Sequence, residues 1–188
     1  MNEKKRCSWC NLKNERYVLY HDREWGVLDF CETYLFEMLI LESFQAGLSW
    51  ECVLNKREAF KEAFAQFDIE KVSRFDAEKM CELAENKGII RNRLKIAAAV
   101  RNAGIFKKIQ EEFGGFYPYL RTFYDGNPID EIGCTRSELS DRISEDLQKR
   151  GMKFVGTTIV YSYLQAIGIV RSHEPSCFLF VEGGRENG

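Results

Sequence analysis

Apolar residues recur at helical spacing through most of the chain, and segments 33–46, 56–67, 77–86, 91–113, 117–123, 140–149 and 157–167 are predicted as helices. Asp68 and Asp76 suit N-cap positions, and Gly88, Gly114, Gly151 and Gly168 fall where helices should stop. No alternating pattern competes, FLFVEGG from Phe178 being the nearest to a strand, so the predicted fold class is all-α with short connections and no internal repeat. The GGRENG ending, 183–188, reads as a disordered tail and leaves 1–182 as one domain.

The 33–46 helix carries the most informative residue. Glu42 shares a face with Leu35, Met38, Leu39 and Ala46, while Phe36, Ile40, Leu41 and Phe44 cover the other faces. A helix that is apolar all round is buried, and an ionised carboxylate taken out of water costs several kcal/mol, roughly, unless something compensates. Trp50 follows eight residues later, and Trp9, Tyr17, Tyr20 and Trp25 crowd around His21. If the N-terminal segment folds over the Glu42 helix, an acid, stacking rings and phenol hydroxyls meet in one pocket; alternatively the rings are core and Glu42 pairs with Arg91 or Arg93.

A 188-residue chain with 45% hydrophobic residues can bury a sizeable core as one domain or two intimate lobes. No apolar run approaches the roughly 18 residues of a membrane span, and the charged start lacks a signal-peptide core, so no membrane partner and a cytoplasmic location are expected. Seven cysteines, an odd number, suit reduced thiols or metal ligands better than disulfides. Only two histidines exist: His21 lies fourteen residues after Cys7, and His173 four before Cys177. That Cys₂His₂ inventory suits one structural zinc that staples the two ends of the chain, with Cys10 a competitor for the place of Cys7.

The net charge of −2 gives no global sign of a nucleic-acid partner, but 86–110 contains no acid and carries Lys87, Arg91, Arg93, Lys95, Arg101, Lys107 and Lys108. With Lys149, Arg150 and Lys153 these could make one anion-facing surface, or simply a solvated helix face. LQKRGMKFVGTTIVYSYLQAIG, 147–168, looks like a helix-hairpin-helix, in which backbone amides of the turn and of the next helix hold a DNA phosphate without reading sequence. An ordinary helix–helix corner is the alternative.

With these pieces in place the sequence resembles the 3-methyladenine DNA glycosylase I family of the helix-hairpin-helix glycosylase superfamily. The matching motifs are Cys7-x-Trp9, YHDREWG from Tyr20, LESFQAGLSW from Leu41, GIIRNRLKI from Gly88, KRGMKFVGTTI from Lys149 and His173-x₃-Cys177. The resemblance implies two helical lobes around a base-binding cleft, termini joined by zinc on Cys7, His21, His173 and Cys177, and a monofunctional enzyme that flips 3-methyladenine out of alkylated double-stranded DNA and hydrolyses its glycosidic bond. It further implies Glu42 and Tyr20 as the groups that hydrogen-bond the base and serve catalysis, Trp50 as the ring stacked on it, and Tyr17 and Trp9 as further pocket walls. Leu48 after Gly47 corresponds to the tip of a loop that fills the gap left by the flipped nucleotide, and Gly156 and Thr157 join Lys149, Arg150 and Lys153 at the DNA backbone. Two departures stand out: an additional residue between Cys7 and His21, and Leu28 where proline is usual. No aspartate follows Gly156, where most of the superfamily places a catalytic one, which leaves a lesion-sensing module that holds the base without cleaving it as a rival. A monomer is expected.

Overall fold

The structure is a computed structural model and describes residues 4–181. The predicted 183–188 tail lies outside the described residues. Ten α-helices run in order as α1 (Glu15–Arg23), α2 (Glu32–Gln45), α3 (Trp50–Leu54), α4 (Arg57–Ala63), α5 (Ile69–Val72), α6 (Ala77–Glu85), α7 (Arg93–Phe113), α8 (Phe116–Leu120), α9 (Glu138–Lys149) and α10 (Thr157–Ala166). The predicted caps form: Asp68 accepts from Lys71 N–H, Asp76 from Lys79 N–H, and Gly114 ends α7 in the left-handed conformation at φ 76°. A Ser137–Ser140 capping box opens α9.

Three things differ from the sequence reading. α1, α3 and α5 were absent from it, since four- to nine-residue helices make at most two turns of pattern. The single helix expected over 56–67 breaks after Ala63, because Ala65, Gln66 and Phe67 adopt left-handed φ of 52–57°. That break turns Phe67 into the core, stacked 6.1 Å from Phe64 and edge-on to Phe36 at 6.3 Å, so aromatic burial overrides local preference. Finally, the fold is not wholly helical. β1 (Ile129–Asp130) pairs in parallel with β2 (Val170–Arg171), sealed by an Arg171–Asp130 ion pair of 2.8 Å. The chain at Phe178–Val181 is not a strand.

α2 is the central element, packed by α3, α7, α8 and α10 and buried at every position from Leu35 to Phe44. Among the described residues no helix is long and apolar enough to cross a membrane. Two of α2's acids are answered from inside the protein. Glu32 accepts N–H bonds from Phe116 and Tyr117 at the start of α8, and Glu37 takes Arg57 Nε at 2.7 Å while the same guanidinium reaches Glu24 at 2.7 Å. The N-terminal segment crosses the far end of α10, with Gly26 N–H bonded to Gln165 O at 3.0 Å. Gly168 (φ 79°) is needed there, because a Cβ would strike the backbone of Val27 and Leu28.

Removing the cation from the buried Arg57–Glu37 pair while leaving the acid should be costly. Arg57→Met is expected to lower stability by about 3–5 kcal/mol in urea unfolding, and adding Glu37→Met should restore most of it.

Candidate functional site

Glu42 is 3% exposed on α2, and its Oε2 has no hydrogen-bond partner. Five buried polar side-chain atoms among the described residues share that condition, and two of them, Glu42 Oε2 and Trp50 Nε1, belong to residues that line one cavity of about 360 Å³. Trp9, Tyr17, Tyr20 and Trp25 come to this cavity from the N-terminal segment, Gln45 and Trp50 from the α2–α3 region. Tyr17, Tyr20 and His21 sit at the i, i+3, i+4 positions of α1 that face inward, and the Asn11 and Asn14 amides grip Glu51 Oε1 at 2.8 Å, folding that segment over α3. Tyr20 and Trp50 rings lie 5.2 Å apart, and Trp9 packs 5.4 Å from Tyr17 and 4.7 Å from Trp25.

The alternative partner for Glu42 is absent. Arg93 stands 80% exposed beside Glu85 at 3.8 Å, and Arg91 is exposed, so neither fills the cavity. Without a compensating charge, burial alone pushes the Glu42 carboxyl up to about 8. The side chain expected as a carboxylate is therefore mainly a neutral acid at pH 7 while the cavity is empty. A bound cation would favour the ionised carboxyl, whose proton leaves to solvent, and would pair with the resulting charge.

The opposite wall was not anticipated. Ile132, Gly133 and Cys134, in the loop after β1, and Ser162 and Gln165 of α10 face Glu42's side, with Ser172 and Glu174 below. Gln165 Nε2 donates to Ser172 Oγ at 2.7 Å. Gln45 could have been found from its i+3 spacing to Glu42, and Ser162 with Gln165 from theirs; nothing in the 132–134 loop carries a sequence signal.

Behind the aromatic wall the ligand atoms of Cys7, His21, His173 and Cys177 lie within 4.8 Å of one another. Cys7 Sγ is 3.5 Å and Cys177 Sγ 3.6 Å from His173 Nδ1, and Cys177 Sγ is 3.5 Å from His21 Nε2. This cluster could hold a metal ion. His21 Nδ1 bonds Asp22 at 2.8 Å, which Arg6 grips in turn at 2.7 and 2.8 Å, so Nε2 is the nitrogen left facing the sulfurs. Backbone N–H groups of Glu174 and Leu179 point at the two sulfurs. Cys10 is excluded from the cluster, its thiol lying against Tyr17 O. All seven cysteines are free.

The expected DNA-facing residues separate into two kinds. The α2–α3 connection leaves from Gln45 and returns at Trp50, both cavity residues, so Gly47 (φ 82°) and the 42%-exposed Leu48 stand at the rim. Between α9 and α10 the turn leaves Lys153 exposed, and Gly156 N-caps α10 with open space where a Cβ would be. Thr157 Oγ1, however, is tied to Asp141, so only its backbone N–H remains available. Arg150 is partly exposed and paired with Glu112 and Asp146 at 2.6 Å each, over the rings of Phe113 and Tyr119. Lys149 pairs with Glu145 at 2.8 Å. The basic stretch 86–110 is likewise not one surface: Lys95 is buried, Arg101 bonds Gly151 O, and Lys107 pairs with Glu70.

A carboxyl whose folded-state value is raised to about 8 keeps a proton that the unfolded chain releases near 4.5, so its contribution to stability falls as pH climbs between those values. Glu42→Gln has no such proton to lose. Its unfolding free energy from urea titration should match wild type near pH 4.5 and exceed it increasingly toward pH 8, by on the order of a few kcal/mol.

Residues 9–180 match the methyladenine glycosylase family. The DNA-3-methyladenine glycosylase 1 of Escherichia coli K12 is 42% identical over 178 residues, covering 92% of this chain and 95% of that protein. A crystal structure of 3-methyladenine DNA glycosylase I superposes with a TM-score of 0.88 at 40% identity, over 93% of this chain and 99% of that one. A variant of 3-methyladenine DNA glycosylase I, solved in complex with 3-methyladenine, superposes at 0.86 with 34% identity, over 94% and 98%. A matched span of nearly the whole chain, together with the cavity that closes on Glu42, makes this protein a member of the methyladenine glycosylase family.

Proposed function

We propose that the protein is a monofunctional glycosylase that takes 3-methyladenine, flipped from alkylated double-stranded DNA, into the Glu42 cavity and hydrolyses its glycosidic bond, leaving an abasic site for base excision repair. The observation that carries this reading is the pair of unpartnered polar atoms, Glu42 Oε2 and Trp50 Nε1, in one buried cavity. Residues 1–182 serve as a single domain, acting as a monomer.

Methylation at N3 makes the base in DNA cationic, so it departs neutral and the intrinsic barrier falls. The harder task is choice, because undamaged adenine is in vast excess. Glu42 discriminates by charge: the cationic base supplies both hydrogen bonds and a counter-charge, whereas neutral adenine cannot repay the cost of ionising a buried acid. Trp50 adds about 0.5–2 kcal/mol by presenting its ring face to a cation and would stack on the base. The Tyr20 hydroxyl orients the base, and Tyr17 and Trp9 close the wall. A lesion with impaired pairing costs less to extrude than a normal base does.

Leu48, presented by Gly47, occupies the vacated place in the duplex. The open N-terminus of α10 at Gly156 and Thr157, with Lys153 and Lys149 beside it, holds the DNA backbone in a helix-hairpin-helix manner. Neither lysine nor aspartate lines the cavity among the described residues, which supports hydrolysis without a covalent lysine intermediate and without strand cleavage.

Zinc is the ion that suits Cys7, His21, His173 and Cys177: donors at about 2.0–2.3 Å from a tetrahedral centre stand about 3.3–3.8 Å from one another. It would supply folding free energy and no reactive position, joining the segment that bears Tyr17 and Tyr20 to the segment that bears Ser172.

Release of free 3-methyladenine from methylated duplex DNA tests the function; intact binding with no release would identify a lesion sensor instead. Since kcat/KM reports the free enzyme, it should rise with pH through about 8 in wild type, and Glu42→Gln should flatten that profile while weakening 3-methyladenine binding far more than binding of undamaged DNA. For the metal, one zinc per chain is expected on elemental analysis. Chelation or Cys177→Ala should lower the melting temperature, and an unchanged one would remove the staple.

A further inference from the structure

We propose that Lys95 is a positioning residue for lesion probing, its buried ammonium fastening the Gly47–Leu48 loop to the same helix face that holds the α9–α10 turn. This rests on the function proposed above.

Lys95 looks in sequence like one more cation of a basic run. In the structure it is 6% exposed, and its Nζ donates to Phe44 O at 2.8 Å and Ala46 O at 2.6 Å. Those carbonyls are the orphaned acceptors at the end of α2. The helix leaves at Ala46 (φ −45°, ψ 112°), Gly47 turns the chain at φ 82° so that Leu48 N–H reaches Gln45 O, and no basic residue lies in the last turn of α2. α7 supplies the donor for the carbonyls of Phe44 and Ala46 from outside the helix. No carboxylate pairs with Lys95 among the described residues, and burial lowers its pKa. An ammonium that meets two backbone oxygens and a ring face but no carboxylate carries a desolvation cost that no counter-charge offsets. Its effect is on geometry: Gln45 to Trp50 is the connection that carries Leu48.

Asn102 lies seven residues further along α7, two turns on and on the same face, and is fully buried. It exchanges two hydrogen bonds with the Lys153 backbone, each 2.9 Å, fixing the turn before α10. Phe154, held at φ 56°, brings its ring to 5.9 Å from Lys95 Nζ and so joins the two attachments. One rigid helix face thus sets the distance between the turn that would hold a phosphate and the leucine that would enter the base stack. A leucine filling a gap in a duplex works only at a defined distance from the gripped backbone. A free base in the cavity makes no such demand.

Lys95→Met keeps the volume and removes the donors. Single-turnover excision of 3-methyladenine from methylated duplex DNA should fall about 10- to 100-fold, as expected for a misplacement near 1 Å. Excision from methylated single strands and calorimetric affinity for free 3-methyladenine should stay within about twofold. Leu48→Ala should show the same duplex-only loss, and the double variant should be no worse than the poorer single one, because both act through one contact. Equal losses on duplex, single strand and free base, or no loss on any, would overturn the proposal, as would additive losses in the double variant. If Lys95→Met is too unstable to purify, Lys95→Gln, which keeps a donor for one carbonyl, gives the same comparison with a smaller loss. Failure of the wild-type protein to release 3-methyladenine would sink the proposed function itself, whereas release with additive variants sinks only the role of Lys95.

Discussion

An acid in dry protein must be paired, hydrated or protonated, and α2 contains all the contrast needed to see which. Glu32 caps α8, Glu37 is held by Arg57, and Glu42, five residues on in the same buried helix, has nothing. The first two acids connect α2 to its neighbours. The third lines a cavity with Tyr20 and Trp50, and burial with no cation beside it raises its carboxyl to about 8. In the proposed function, selectivity for a positively charged base follows from the cost of making one buried negative charge with nothing beside it.

Keeping that acid dry needs walls from distant parts of the chain. The aromatic wall comes from α1 and the segments flanking it, and Cys7 and His21 of the same region lie against His173 and Cys177 in a cluster that could hold a metal ion. Ser8 hydroxyl and amide contacts to Glu174 reinforce the same join. β1 pairs with β2 just before the 132–134 loop, which lines the cavity together with Ser162 and Gln165 of α10.

The cations have a different division of labour from the one their positions in the chain suggest. Arg57, Arg150, Arg101 and Lys95 all bond carboxylates or carbonyls of the protein itself, whereas Lys153 is exposed at the turn and Gly156 opens α10 with no side-chain cap. A net charge of −2 is compatible with this arrangement, because phosphate would be met locally by backbone dipoles rather than by a field spread over the surface.

The long helices were legible because their apolar period, caps and glycine stops are local properties: α2, α6, α7, α9 and α10 differ from their predicted bounds by at most two residues. So were Glu42's burial, the pairing of two histidines with two cysteines, and the rings around His21. What the sequence could not show depends on residues far apart in the chain. The left-handed break at Ala65–Phe67 exists because Phe67 packs on Phe36, and the 132–134 wall exists because β1 finds β2 forty residues later. Whether an acid or a cation is paired is decided in the same way. Glu37 and Glu42 read alike in a helix, as do Lys95 and its basic neighbours. Only the packed chain determines which of them meets a partner, because burial and pairing are properties of the surroundings and not of the residue.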